Sequence, residues 1–199
     1  MPHNLSRSRL EAFSDGVIAV IITIMVLDLR VPSTHDLTNA AAIQADLKLI
    51  LVYLLSFVQT GIYWVNHHYL IDDVDQVSHG LLWANLAFLF TLSLIPFATG
   101  WVGERDVSSF SIALYAIACA LPAVAWFVLS NIICRHSGVP LAGSPAKQAV
   151  SSILYIGAVP VAYLRPGLAI AMIVTVAVLW LLPPGRVHQA EPEETPPVA

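Results

Sequence analysis

The sequence predicts an all-α integral membrane protein with six transmembrane helices per subunit, and three observations predict it. Of its 199 residues, 57% are hydrophobic and only 11% are charged, whereas a soluble domain is about half apolar and about a quarter charged. Mean hydropathy is +0.75. Apolar runs near bilayer length recur along the chain, about 20 residues being what a helix needs to cross the hydrocarbon core.

Six such runs follow in order. The first spans 10–29 and the second 47–65, with Lys48 near one end and Gln59 inside. The third, 81–102, reads "LLWANLAFLFTLSLIPFATGWV" and holds no charge. The fourth, 108–134, is also uncharged, and Pro122 is predicted to kink it. The fifth and sixth, 149–164 and 167–182, are shorter and flank "RPG" at 165–167, a tight-turn signal that makes them a helical hairpin. No internal repeat divides the chain, so residues 1–184 form one transmembrane domain. Beyond Pro183 and Pro184, residues 185–199 read "GRVHQAEPEETPPVA". That acidic, proline-rich tail cannot bury apolar surface and is expected to be disordered.

The formal charge of −4 arises from acids in short loops and the tail. There is no basic patch with interleaved aromatics, which excludes nucleic acid as a partner. Cys119 and Cys134 fall in one run; on a helix they stand about 22 Å apart, too far for a disulfide. The first run continues past the length of a signal-peptide core, so it is read as a retained span. With both termini inside, the cytosolic side carries Arg7, Arg9, Arg135, Lys147 and Arg186 against Arg30, Lys48, Arg105 and Arg165 outside. That five-to-four split, with two arginines flanking the first helix, places the termini in the cytosol.

The first helix carries most of the information. Phe13, Gly16, Val17, Val20, Thr23, Ile24 and Leu27 recur at spacings of three and four, which aligns them in one stripe. Such a stripe, small at Gly16 and hydroxylated at Thr23, serves a helix–helix seam equally well, and Thr23 alone can bond back to the carbonyl four residues earlier. Ser14 and Asp15 lie inside the span. Ionisable groups there face a bundle interior or a wet cavity; the competing reading is a helix N-cap.

"RLEAFSD" (Arg9 to Asp15) followed by "GVIAVIITIMVL", then "YWVNHHYL" at 63–70 and "WANLAFLFTLSLIPFATGWVGE" at 83–104, resembles the first three helices of the transmembrane protein 175 family. The resemblance is close over residues 9–104 and mostly one of hydropathy beyond. It implies a potassium-permeable channel of the cell membrane, assembled as a homotetramer of identical subunits around a central pore lined by the first helix. Its inner-mouth motif is Arg9, Phe13, Ser14 and Asp15. Carried over by distance from Phe13-Ser14-Asp15, the apolar constriction falls on Val20, Ile24 and Leu27, and the threonine that contributes to potassium preference is Thr23. All four lie on the stripe read from spacing. Position 20 departs from the family pattern, valine standing where isoleucine or leucine is usual; a shorter side chain widens that ring, so the choice of tightest ring stays open among Val20, Ile24 and Leu27.

No carbonyl filter of the T-V-G-Y-G kind occurs in the chain. Selectivity therefore falls to a narrow apolar neck that dewets, with hydroxyls replacing part of the ion's water shell. The supporting polar network is expected among Trp64, Asn66, His67, His68 and Asn85. No cofactor and no metal are expected; the partners are potassium ions, identical subunits and the lipid bilayer. Two rival classes stand beside this reading. One is a metal-dependent membrane enzyme built on His67, His68, Asp72, Asp73 and Asp75, for which His68 and Asp72 have i,i+4 spacing. The other is a proton-coupled transporter with Asp15 as relay, although transporter sites sit at broken helices and the first helix shows no break past Gly16.

Overall fold

A backbone in lipid has no water to bond, so an apolar chain of this kind satisfies its N–H and C=O groups within helices. The computed structural model describes residues 6–29, 38–72, 74, 76–105, 108–137 and 145–181, and every regular element among them is helical. In order they are α1 (Arg7–Ile24), a 3-10 turn (Met25–Asp28), α2 (Asn39–Asp72), α3 (His79–Leu92), α4 (Ile95–Glu104), α5 (Ser109–Ser137), α6 (Pro145–Leu164) and α7 (Pro166–Leu181). Among the described residues four stretches are long and apolar enough to cross a membrane: Arg7–Asp28, Asp46–Asp72, His79–Glu104 and Ser109–Arg135. The tail at 185–199, with Asp73 and Asp75, lies outside the described residues.

The clearest departures from the boundaries read off the sequence lie in the second and third runs. The second helix is 34 residues long and extends beyond its apolar run at both ends, because helix propensity continues where the lipid-facing character stops. The third run is divided at Ser93 and Leu94. Pro96 sits in the first turn of α4, and without an N–H it leaves the Leu92 carbonyl no partner four residues on. The chain tightens there, Leu94 N–H bonding the Thr91 carbonyl at 3.3 Å before Ala98 N–H resumes the helix on the Leu94 carbonyl at 3.2 Å. By contrast α5 runs on through Pro122. The α6–α7 turn is one residue, Arg165, with Pro166 opening α7, where a missing N–H costs nothing.

The apolar interior has two parts. Leu10, Ile18, Ile21 and Met25 of the first segment pack with Leu70, Phe88, Leu92, Trp126 and Leu129 from α2, α3 and α5. The second part joins α4 to α7 and is rich in small residues: Ala116 and Cys119 on α5, Ala158 and Ala162 on α6, Ala169 and Ile173 on α7, each fully buried. Lipid tails are as apolar as leucine, so burial alone does not drive helices together in a membrane; close backbone approach through small residues does. Glycine serves the same end on α4, where a Cβ on Gly103 would overlap the Leu49 side chain of α2. Hydroxyls inside the bundle bond back along their own helices, Ser56 to Val52, Thr60 to Ser56, Thr99 to Ile95 and Ser130 to Trp126, at 2.8–2.9 Å. Ser56 also meets Thr99 Oγ1 and the Tyr115 hydroxyl across helices at 2.7 and 2.8 Å.

Overpacking tests the close approach. Ala158→Leu should push α6 off its neighbours at a cost of about 1–3 kcal/mol, lowering the melting temperature of the solubilised protein by several degrees; an unchanged melting curve would show the interface to be slack.

Candidate functional site

Ser6 stands at the N-cap position of α1, so Ser14 and Asp15 lie two turns inside the helix and neither is an N-cap. The two faces of α1 have opposite fates. Leu10, Ser14, Ile18, Ile21 and Met25 are buried against α2, α3 and α5. The stripe on the other face is open except at Val17, which is half-buried against the core: Val20 is 53% exposed, Ile24 48% and Leu27 71%, with Phe13, Gly16 and Thr23 exposed beside them. An open groove of about 600 Å³ follows this face, lined by Phe13, Gly16, Val20 and Ile24 together with Ser93 and Pro96 from the α3–α4 break. Leu27 belongs to the 3-10 turn and not to the α-helix proper.

Polar bonds hold the buried face in register. Ser14 Oγ donates to the Leu10 carbonyl at 2.9 Å, Asn85 Nδ2 donates to Ser14 Oγ at 2.9 Å, and His67 Nε2 meets Asn85 Oδ1 at 2.8 Å. The order of donors assigns the imidazole: with the Asn85 amide nitrogen committed to Ser14, its oxygen accepts, so His67 carries its proton on Nε2. His67 is fully buried and stacks on Phe88, ring centroids 5.7 Å apart and 8° between planes. One chain thus ties α2 to α3 and α3 to α1, 71 residues separating Asn85 from Ser14 in sequence.

Asp15 is turned the other way. Its Oδ1 accepts from the Trp64 indole at 3.0 Å. One turn toward the N-terminus, Glu11 Oε1 lies 3.1 Å from His68 Nδ1, and Arg7 donates to both the Asp72 carboxylate (2.9 Å) and the Asp72 carbonyl (2.8 Å). The pairing that joins these helix ends therefore uses Arg7 and Glu11, which no motif singles out; Arg9 is exposed. His68 also approaches Asp72 at 3.9 Å, through Nε2. Its two nitrogens thus face carboxylates on opposite edges of the ring, an arrangement that bridges helices and does not converge on a point. Among the described residues no group of three or more His, Cys, Asp or Glu side chains is placed to hold a metal ion. Asn66 stands apart, its amide donating to the Ile62 carbonyl at 2.7 Å.

Thr23 Oγ1 donates to the carbonyls of Ala19 (2.8 Å) and Val20 (3.1 Å). That uses its single hydrogen and leaves an oxygen that can only accept, on the exposed face.

Comparison with known proteins places this arrangement. A family model described as Endosomal/lysosomal potassium channel TMEM175 matches residues 9–96, the stretch that carries most of α1, with α2, α3 and the His67–Asn85–Ser14 chain between them. A protein of Chryseobacterium sp. named as a potassium channel is 40% identical over 191 residues, which is 94% of this chain and 98% of that one. The chain belongs to the TMEM175 family. Within that family a Streptomyces collinus protein, also named as a potassium channel, is 32% identical over 151 residues, covering 71% of this chain and 72% of its own. The crystal structure of a lysosomal potassium-selective channel TMEM175 homolog from Chamaesiphon minutus shares the fold, with a TM-score of 0.70 at 24% identity over 88% of this chain and 96% of that chain.

Breaking the buried chain should be costly. Asn85→Leu strands both the His67 N–H and the Ser14 oxygen, at about 1–3 kcal/mol for an unmet buried group. A drop in melting temperature larger than that of Asn66→Leu is expected in parallel unfolding scans.

Proposed function

We propose that the chain is one subunit of a homotetrameric potassium-permeable channel of the cell membrane. Each subunit crosses the bilayer six times, α3 and α4 together making one crossing, with both termini in the cytosol. The exposed face of α1 lines the central pore. The observation that carries the reading is that face: an apolar edge, interrupted by Thr23, left open on a helix whose opposite side is locked by directed hydrogen bonds. The names of the relatives and the channel family of the matching model support the same class.

The mechanism follows from the side chains. Val20, Ile24 and Leu27, repeated about a four-fold axis, narrow the conduit to an apolar neck that passes ions when wet and blocks them when dry. Thr23 interrupts that neck with acceptor oxygens. A neutral oxygen replaces the weakly held water of potassium more readily than that of sodium, so the preference is real but modest. Asp15, tied to Trp64, sets a negative charge near the cytosolic mouth, where it raises the local cation concentration. The metal-enzyme reading finds no support in the divergent contacts of His68. The transporter reading finds none in a helix that is continuous from Arg7 to Ile24.

Purified protein in liposomes should carry potassium faster than sodium, read by an imposed-gradient flux assay; tight vesicles at high protein load would overturn the proposal. Thr23→Val should bring the potassium-to-sodium permeability ratio toward one, and an unchanged ratio removes Thr23 from selectivity. Ile24→Asn should hydrate the neck and raise basal flux by about tenfold, the equivalent of ~1.4 kcal/mol off the barrier.

A further inference from the structure

A narrow void of about 30 Å³ lies between α2, α5, α6 and α7, bounded by Tyr63 and Asn66, by Trp126, by Ser152 and Tyr155, and by Ala177. It is separate from the groove along α1, which involves none of these residues. Trp126 is only 4% exposed, and among the described residues its Nε1 has no hydrogen-bond partner. The ring cannot turn to find one. It is fixed edge-to-face on Phe88, centroids 5.5 Å apart, and tilted against Tyr63 at 6.1 Å. On the far wall Tyr155, 3% exposed, accepts from Gln59 Nε2 at 2.7 Å, so its own hydrogen remains to be donated. Asn66 has committed its amide nitrogen to the Ile62 carbonyl and keeps its oxygen as an acceptor.

Two fixed donors and an acceptor around one void call for a ligand that both accepts and donates. We infer that the void is a structural water site, independent of the ion path, in which one or two waters accept from Trp126 Nε1 and the Tyr155 hydroxyl and donate to the Asn66 amide oxygen. Size agrees, since roughly 10–15 Å³ of such volume holds one water and a site needs two to four polar partners to retain it. A lipid acyl chain has no acceptor to offer the Trp126 and Tyr155 donors. Bound water adds a polar bridge among α2, α5 and α6 beside the direct Gln59–Tyr155 bond.

The test uses the full chain in lipid nanodiscs with 15N-labelled tryptophan. Magnetisation transfer from water to the Trp126 indole should be strong, while its hydrogen–deuterium exchange is slow beside that of Trp83, which is 62% exposed. Ala177→Leu, which fills the void, should abolish the transfer and leave the indole signal in place. Trp126→Phe assigns the resonance; if that variant does not fold, single Trp→Phe changes at residues 64, 83, 101 and 180 assign it by elimination. A second measurement is an experimental density map of the native protein, in which a solvent peak is expected at about 2.8–3.2 Å from Trp126 Nε1. An indole without water contact, or one in contact with lipid methylenes, would overturn the inference.

Discussion

The bond from Asn85 to Ser14 is the constraint on which the rest depends. In a bilayer, helices have little to gain by hiding apolar surface from one another, so packing alone leaves the rotation of a helix weakly specified. A buried serine with one matching amide on the neighbouring helix removes that freedom. With Ser14 turned inward, Ile18 and Ile21 follow it into the core, and Val20, Ile24 and Thr23 are carried outward by the helical repeat. Rotating α1 by one residue would bring Phe13 or Asp15 to Asn85, and neither offers the same donor–acceptor match.

The molecule divides its tasks between two kinds of contact. Helices α5, α6 and α7 are joined by small side chains over long faces, giving a rigid slab. Helix α1 leans against α2 and α3 with less shared surface, and it is located by polar bonds at its buried face and by the Arg7–Asp72 and Glu11–His68 pairs near its start. The exposed ion pairs contribute about 0–1 kcal/mol each, so they steer the helix end more than they hold it. Orientation and cohesion are thereby supplied by different residues, which allows the outward stripe to vary without disturbing the bundle.

Much of this was legible in the sequence, and the limits have physical causes. The stripe on α1 was readable because helical periodicity repeats locally, and the polar pair Ser14–Asp15 stood out against an apolar run. The short α6–α7 hairpin was readable from Arg165-Pro166-Gly167. The division between α3 and α4 was hidden because Ser93 and Leu94 do not interrupt the hydropathy; only Pro96 hinted at it, and Pro122 gives the same hint inside a helix that continues. The extent of α2 was hidden because hydropathy measures suitability for lipid, and a helix can continue into water. Arg7 and Glu11 were passed over because their partners Asp72 and His68 lie 57 or more positions away, and no local pattern encodes a pairing across that distance. The cavity at Trp126 needed four helices to be placed before it existed at all.

The 3-10 turn that ends the first segment has a geometrical consequence. An α-helix advances 100° per residue, so a side chain three positions on points about 60° aside of its predecessor. In a 3-10 turn the repeat is three residues, and positions i and i+3 eclipse. Met25–Asp28 adopts that tighter winding, which draws Leu27 back toward the azimuth of Ile24 and lengthens the rise between them. The apolar edge is straightened at its C-terminal end where an ordinary helix would let it spiral away, and the last leucine follows the isoleucine as the next rung of one ladder.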